Sequence, residues 1–352
     1  MKNFIKGLIV VAVSLVIVPL IPLLFTGGND ATDENINDNA LPVISDQAVL
    51  VPYSLIDTVS VYDVTVGKRI NYSCEDFLVY TVMAAVSPNA EAELLKAQAV
   101  LMYTYILGRR LDESASPTPE LFGCDISTDS NKYIRILSAD EVSSLFKDNA
   151  DEYTDKVRKA VKSVIGEYVS YKSKPIVPAY CYSCGGVTES SLTVLGTDVE
   201  YLRSVKSAYD EGFKSQATMT KDELFARVST QTDAPVLLGD PKDWINLSSV
   251  TSTGYVSEVT FDGGEKVSGQ QFAQWLNLPS ARFEVTYSEE FERFNFDVSG
   301  SGHLVGMSQY GANEMAKNGF TYRKILTYFF NGVDIERSLD EDVTVVVADV
   351  AE

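Results

Sequence analysis

The spacing of apolar and polar positions divides the chain into stretches of different character. Gly7–Phe25 runs for 19 residues without a charged side chain. About 20 apolar residues cross a bilayer core as a helix, so a single membrane span is predicted here. Pro19 and Pro22 could kink it, and a cleaved secretory signal stays open as the alternative. From Thr26 to about Pro52 the chain turns polar, with Asp30, Asp33, Glu34, Asp38 and Asp46. Low hydrophobicity with charge of one sign predicts a solvated linker.

Beyond the linker the pattern switches between the strand and helix periods. Val59 to Val66 alternates and predicts a strand, and Asp76–Ala85 predicts a helix. Asn89 is the expected cap of the next helix, with Glu91 and Glu93 in a first turn where carboxylates favour the dipole. That helix is expected to reach about Arg110, and Arg109–Thr128, with Pro117, Pro119 and Gly123, to be loop. A helix over Asp151–Ile165 and strands over Tyr168–Tyr171 and Ile176–Cys181 follow. Residues 220–231 predict a short helix. Val236 to Phe283 alternates strands with turns such as Asp262-Gly263-Gly264, with a helix near Ser268–Leu276. Phe291–Val298 alternates again and leads into Ser301–Ala312, which opens onto helical Asn313–Lys317 and stops at Asn318-Gly319.

These periods predict an α+β fold: a single N-terminal transmembrane helix, then a mixed α/β domain with a smaller subdomain. The expected segments are a cytoplasmic tip and anchor (1–26), an acidic linker (27–58), a core domain (59–204 and 286–338), a subdomain (205–285) and a tail (339–352). Lys2 and Lys6 precede the span and acids follow it, which puts the bulk of the chain outside a cell membrane. The formal charge of −20 excludes nucleic acid as a partner, since phosphate binding needs clustered Lys and Arg.

Two kinds of residue carry candidate chemistry. His303 is the only histidine, set among Gly302, Gly306 and Gly311, where backbone can approach closely. From spacing alone it suits a cleft floor and a buried turn about equally. Cys74, Cys124, Cys181 and Cys184 allow three disulfide pairings in an exported domain, or four free thiols.

Gly302-His303-x-Val305-Gly306-Met307-Ser308-Gln309-x-Gly311-Ala312, with Met315, Ala316, Gly319, Tyr322, Ile325 and Leu326 after it, resembles the C-terminal signature of the SpoIID/LytB family. Leu95-Lys96-Ala97-Gln98-Ala99-Val100 and Tyr182-Ser183-Cys184-Gly185-Gly186-x-Thr188-Glu189 resemble two further family motifs, in family order. The family holds peptidoglycan lytic transglycosylases and amidase enhancers. The resemblance implies a groove for glycan strands stripped of stem peptides, in sporulation and engulfment, with a cell-wall amidase and other engulfment proteins as candidate partners. It assigns substrate contact to Lys96, Gln98, Ser183, Cys184, Thr188, His303, Ser308 and Gln309. Lys96 and Gln98 are two apart, so on a helix they face different ways.

The chain departs from the family where chemistry is concerned. A lytic transglycosylase needs one carboxyl group to protonate the leaving oxygen and then take the C6 hydroxyl proton. Val86 stands at that position, and Glu91 is the nearest substitute; Glu93 matches an acid that is not the family's catalytic one. The departure favours a degenerate, glycan-binding member (a pseudoenzyme) over an active transglycosylase, with a non-enzymatic amidase enhancer as the alternative. No cofactor is expected other than zinc, which related proteins hold in the loop after the Leu-Lys-Ala-Gln-Ala helix. Here that loop carries Asp129-Ser130-Asn131, leaving Cys124, Cys181 and Cys184 as candidate ligands where four are normally needed.

Overall fold

The computed structural model describes residues 53–231 and 235–339. The predicted span, most of the acidic linker and the tail from residue 340 lie outside them. Among the described residues no helix is long and apolar enough to cross a membrane.

In chain order the elements begin with β1 (Thr58–Asp63), β2 (Lys68–Ser73), α1 (Cys74–Ala85), α2 (Ala92–Ala115), β3 (Ile126–Ser127), α3 (Ala139–Phe146) and α4 (Ala150–Val164). Then come β4 (Glu167–Tyr171), β5 (Lys174–Pro175), β6 (Tyr180–Cys181), α5 (Ser191–Leu195), β7 (Lys214–Thr220) and α6 (Lys221–Ser229). The strands β8 (Ile245–Val250), β9 (Val256–Phe261) and β10 (Lys266–Ser268) precede α7 (Gly269–Leu276), β11 (Phe283–Ser288) and β12 (Arg293–Ser299). The chain closes with β13 (Met307–Ser308), α8 (Gln309–Lys317), α9 (Tyr322–Phe329) and β14 (Asp334–Arg337).

Two hydrophobic cores organise these elements. The first draws on residues 56–202 and 305–333 and centres on α2, whose Leu95, Ala97, Ala99, Val100 and Leu101 are all fully buried. Residues 97–104 of that helix are buried on every side, as befits a helix inside a fold, and α2 packs against α1, α4, α8, α9 and β4. By contrast α4 buries one stripe, Val157, Ala160, Val161 and Val164, at helical spacing. Around these helices lie small sheets in the orders β2-β1-β3 and β14-β4-β5, and the parallel pair β6-β13. The second core draws on residues 219–304 and sits with the sheets β10-β9-β8 and β11-β12-β7. Phe294, Phe296 and Val298 alternate along β12 and face into it. This second cluster takes in β11 and β12, past the boundary at 285 drawn from the sequence.

Two local expectations need correction. The cap of α2 is Glu91, not Asn89, and the helix runs on to Ala115. Its last turns are held by Arg109 and Glu113 one turn apart at 2.5 Å, and Glu113 then accepts the Thr118 backbone N–H at 2.7 Å. The strand expected over Ile176–Cys181 reduces to its last two residues, β6, with β5 lying just before the expected range; Pro178 has no N–H to give a ladder.

Candidate functional site

Parallel pairing of β13 with β6, Met307 opposite Tyr180 and Ser308 opposite Cys181, lays the glycine-histidine segment beside the Tyr182–Glu189 loop. Gly306 permits the approach: its φ is +74° and a Cβ there would lie 2.1 Å from the Ala179 carbonyl oxygen. Ser183 and Ser301 exchange backbone hydrogen bonds at 3.2 and 2.7 Å and lock the register.

Beneath this junction lies Asp210, fully buried in a turn that follows the loop. Its carboxylate accepts the Ser183 hydroxyl at 2.6 Å, the Ser308 hydroxyl at 2.5 Å, and the backbone N–H groups of Cys184 and Gly185, each at 3.0 Å. The Cys184 thiol donates to it as well, at 3.0 Å. Burial, then the Asp210 charge, pushes that thiol up to about 12. Ser308 meanwhile accepts the Gly311 N–H at 3.2 Å and so caps α8. Ser183, Cys184 and Ser308, three of the residues marked for substrate contact, therefore converge on one buried carboxylate that the sequence did not flag. Asp210 lies in no motif and belongs to no periodic pattern, so no local signal marks it.

Thr188 is buried too, accepting the Val205 N–H at 2.8 Å on its hydroxyl. Next to it Glu189 pairs with Arg282 at 2.5 Å, both side chains almost wholly buried. The same guanidinium donates to the Cys184 and Val187 carbonyls at 2.5 and 3.0 Å, and Thr253 donates to the Glu189 carboxylate. Arg282, also unflagged by the sequence, thus fastens the loop to the second unit.

His303 is held as a neutral ring. Its Nδ1 accepts the Val305 N–H at 3.1 Å, which leaves the proton on Nε2. That nitrogen is enclosed and has no partner at normal geometry among the described residues. Burial pushes the imidazole down to about 4, and the nearby Tyr180 backbone offsets only part of this.

On the other side, Gln309 Nε2 donates to the Ala85 carbonyl and to Gln98 Oε1, both at 3.1 Å. Gln98 is fully buried, and its own Nε2 has no partner among the described residues. Val86 ends α1 beside this pair with extended backbone and packs into the first core. Lys96 points elsewhere, as its spacing from Gln98 requires: it pairs with Glu93 at 2.6 Å and sits 5.9 Å from the Tyr322 ring centre. Glu91 is exposed, and its backbone N–H donates to Asn313 Oδ1 at 2.9 Å. Tyr103 is buried and donates its hydroxyl to Ser338 at 3.0 Å.

The starts of α2 and α8 and the Tyr182–Glu189 loop therefore meet at one place, in the order that the sequence resemblance requires. The SpoIID family model, described as stage II sporulation protein, matches residues 62–171. The chain is 27% identical over 271 residues to stage II sporulation protein D of Bacillus subtilis (strain 168), covering 76% of this chain and 76% of that protein. It is 27% identical over 302 residues to stage II sporulation protein D of Bacillus amyloliquefaciens, covering 85% and 82%. A segment matching the SpoIID family model thus sits in a chain that is similar, over three quarters or more of its length, to two stage II sporulation D proteins. The chain is also 24% identical over 232 residues to the amidase enhancer of Bacillus subtilis (strain 168), covering 52% of this chain and 33% of that protein.

The zinc that the SpoIID resemblance raises does not fit the residues present. Cys124 Sγ accepts a hydrogen bond from Arg69 Nε at 3.3 Å, and the same guanidinium donates to the Phe122 and Gly123 carbonyls at 3.3 and 2.7 Å. A cation already occupies the space beside that sulfur. All four cysteines are buried free thiols. Among the described residues no three His, Cys, Asp or Glu side chains are grouped to hold a metal ion.

Proposed function

We propose that this chain serves a cell-wall-related role in sporulation, as an anchored, outward-facing protein that binds peptidoglycan glycan strands. Its groove would lie between the start of α2, the Tyr182–Glu189 loop and the Gly302–Gly311 segment. The observation that carries this reading is the Asp210 cluster, in which one buried carboxylate ties both glycine-bearing motifs into a rigid wall. Ordering such a wall during folding removes an entropic cost from ligand binding. In this reading Ser183, Cys184, Thr188 and Ser308 build the wall, while Lys96, Glu91 and the backbone of the glycine segment border the ligand.

Val86 favours binding over cleavage, because an isopropyl group can neither give nor take a proton. The named amidase enhancer among the relatives supports a second reading of the same surface, as a non-enzymatic partner of a cell-wall amidase. Cosedimentation of the full-length protein with amidase-treated glycan strands, followed by mass analysis of the soluble products, tests both. Binding without anhydro-muropeptides is the expected result. Abundant anhydro products that disappear in Glu91→Gln would instead establish a relocated acid, and absence of binding would remove the glycan reading altogether.

A further inference from the structure

Tyr182, Phe213 and Tyr310 come from three separate segments yet form one run of rings. The Tyr182 and Phe213 centroids are 5.4 Å apart and those of Phe213 and Tyr310 5.6 Å apart, with interplanar angles of 69° and 57°. The Tyr310 N–H donates to the Tyr182 carbonyl at 2.8 Å, and the Phe213 N–H to the Asp210 carbonyl at 3.2 Å. All three therefore rest on the backbone that the Asp210 carboxylate fixes. Nevertheless Tyr182 is 50% exposed and Tyr310 37% exposed.

Their hydroxyls are also uncommitted. Among the described residues neither has a hydrogen-bond partner, whereas the hydroxyls of Tyr103, Tyr168 and Tyr328 are bonded to Ser338, Glu336 and the Lys206 carbonyl. Tyr310 begins a face of α8 that continues through Asn313, one turn on, and Asn313 holds the Glu91 backbone at the start of α2. The rings thus lie along the same path as the groove.

We infer that Tyr182, Phe213 and Tyr310 form a stacking subsite for consecutive N-acetylated sugar rings of a glycan strand. The inference rests on the glycan-binding reading above and deepens it. A sugar ring presents a C–H face suited to an aromatic face, while its hydroxyl and amide groups need partners of the kind that two free phenol groups supply. A protein partner fits less well. An aromatic side chain buries about 150–250 Å² when fully covered, so three part-covered rings fall short of the roughly 800 Å² per partner of a stable protein interface.

The test is the affinity of full-length protein in detergent for soluble amidase-treated glycan strands, by titration calorimetry. Tyr182→Ala and Tyr310→Ala are each expected to weaken binding roughly tenfold, the scale of one lost aromatic contact. Tyr182→Phe and Tyr310→Phe should fall between these and the parent, and Phe291→Ala, on an exposed ring outside the groove, should match the parent. Tyr182→Leu and Tyr310→Leu, which keep the apolar bulk, replace the alanine variants if those fail to melt cooperatively. Parent binding that survives unchanged in Tyr182→Ala and Tyr310→Ala overturns the subsite and leaves the glycan reading intact. A parent that does not bind the strands overturns that reading, and the subsite with it.

Discussion

Leu304 and Val305 are consecutive, both fully buried, and packed in different cores: Leu304 in the second, Val305 in the first. The chain makes this crossing with Leu304 in the left-handed region, at φ +65°, which costs a side-chain-bearing residue of order 1–2 kcal/mol. Its carbonyl accepts the Glu189 N–H at 2.7 Å, so the crossing point is also bonded to the loop that Arg282 grips. Packing of the leucine in the second core offsets the backbone cost. Leu304→Ala is therefore expected to destabilise the protein by about 2–4 kcal/mol in urea titration. A broadened or split transition is expected as well, because the second unit loses an anchor to the first. A loss below about 1 kcal/mol with one sharp transition would show that the crossing does not couple the units.

Asp210 is the second point of coupling. Asp210→Ala removes the acceptor of two hydroxyls and two backbone N–H groups in a dry site. Each buried donor left unmatched costs about 1–3 kcal/mol before relaxation, so a total near 3–5 kcal/mol is expected from denaturant midpoints. Asp210→Asn keeps one carbonyl acceptor but turns an NH₂ toward donors, and should fall between alanine and the parent. Ligand-free hydrogen exchange should show the amides of Cys184 and Gly185 losing protection in both variants.

His303 sets a pH dependence of defined sign. Its folded-state value, near 4, lies below the ordinary 6.5, so between those limits the unfolded chain binds a proton that the native state refuses. This contribution is fully present above about pH 6.5 and is lost as the pH falls toward 4. A shift of this size corresponds to roughly 3 kcal/mol. His303→Asn, which cannot titrate, should flatten that limb of the stability curve between pH 6.5 and 4. An unchanged limb would place the acid sensitivity in carboxylates instead.

Much of this architecture was legible in the sequence, and the limits have physical causes. Strong periods placed α4, α6, α7 and β12 because each buries one face, and the glycine-histidine run was marked by its composition. The two charged residues that hold the site, Asp210 and Arg282, carry no such mark. Their partners are 26 and 98 residues away in the chain for the Cys184 contacts alone, and only the tertiary fold brings them together. The side chains of Ser183, Cys184 and Ser308 were singled out by motif, but a motif does not say whether a polar group faces a ligand or a buried carboxylate. The end of α2 was missed for a local reason: Arg109–Glu113 sustains a helix that the later prolines had suggested was over.

The cysteines should behave as inert, metal-free thiols. Burial pushes Cys74 up to about 12 and Cys181 well above its ordinary range, and Cys184 is raised likewise. Disulfide reagents attack thiolates, so Cys74, Cys181 and Cys184 are expected to react with Ellman's reagent at pH 8 only after unfolding in guanidinium. Chelator treatment should leave the melting temperature unchanged, since the Arg69 guanidinium packs against the Cys124 sulfur. A drop of several degrees with EDTA, reversed by zinc, would overturn this.

Val86→Glu asks whether the groove lacks only its acid. Val86 is 8% exposed, at the end of α1 and next to the Ala85 carbonyl that Gln309 holds. A carboxyl group placed there is poorly solvated, which raises its pKa and keeps it protonated nearer neutral pH, the state a general acid needs. Burying it costs stability, about 2–4 kcal/mol, which thermal melting would register. On the glycan-binding proposal, the expected outcome is anhydro-muropeptide release by Val86→Glu above the level of the parent protein. A folded variant that binds strands but releases none would mean that the wall around Asp210 holds glycan in a pose unsuited to cleavage, and would favour the enhancer reading.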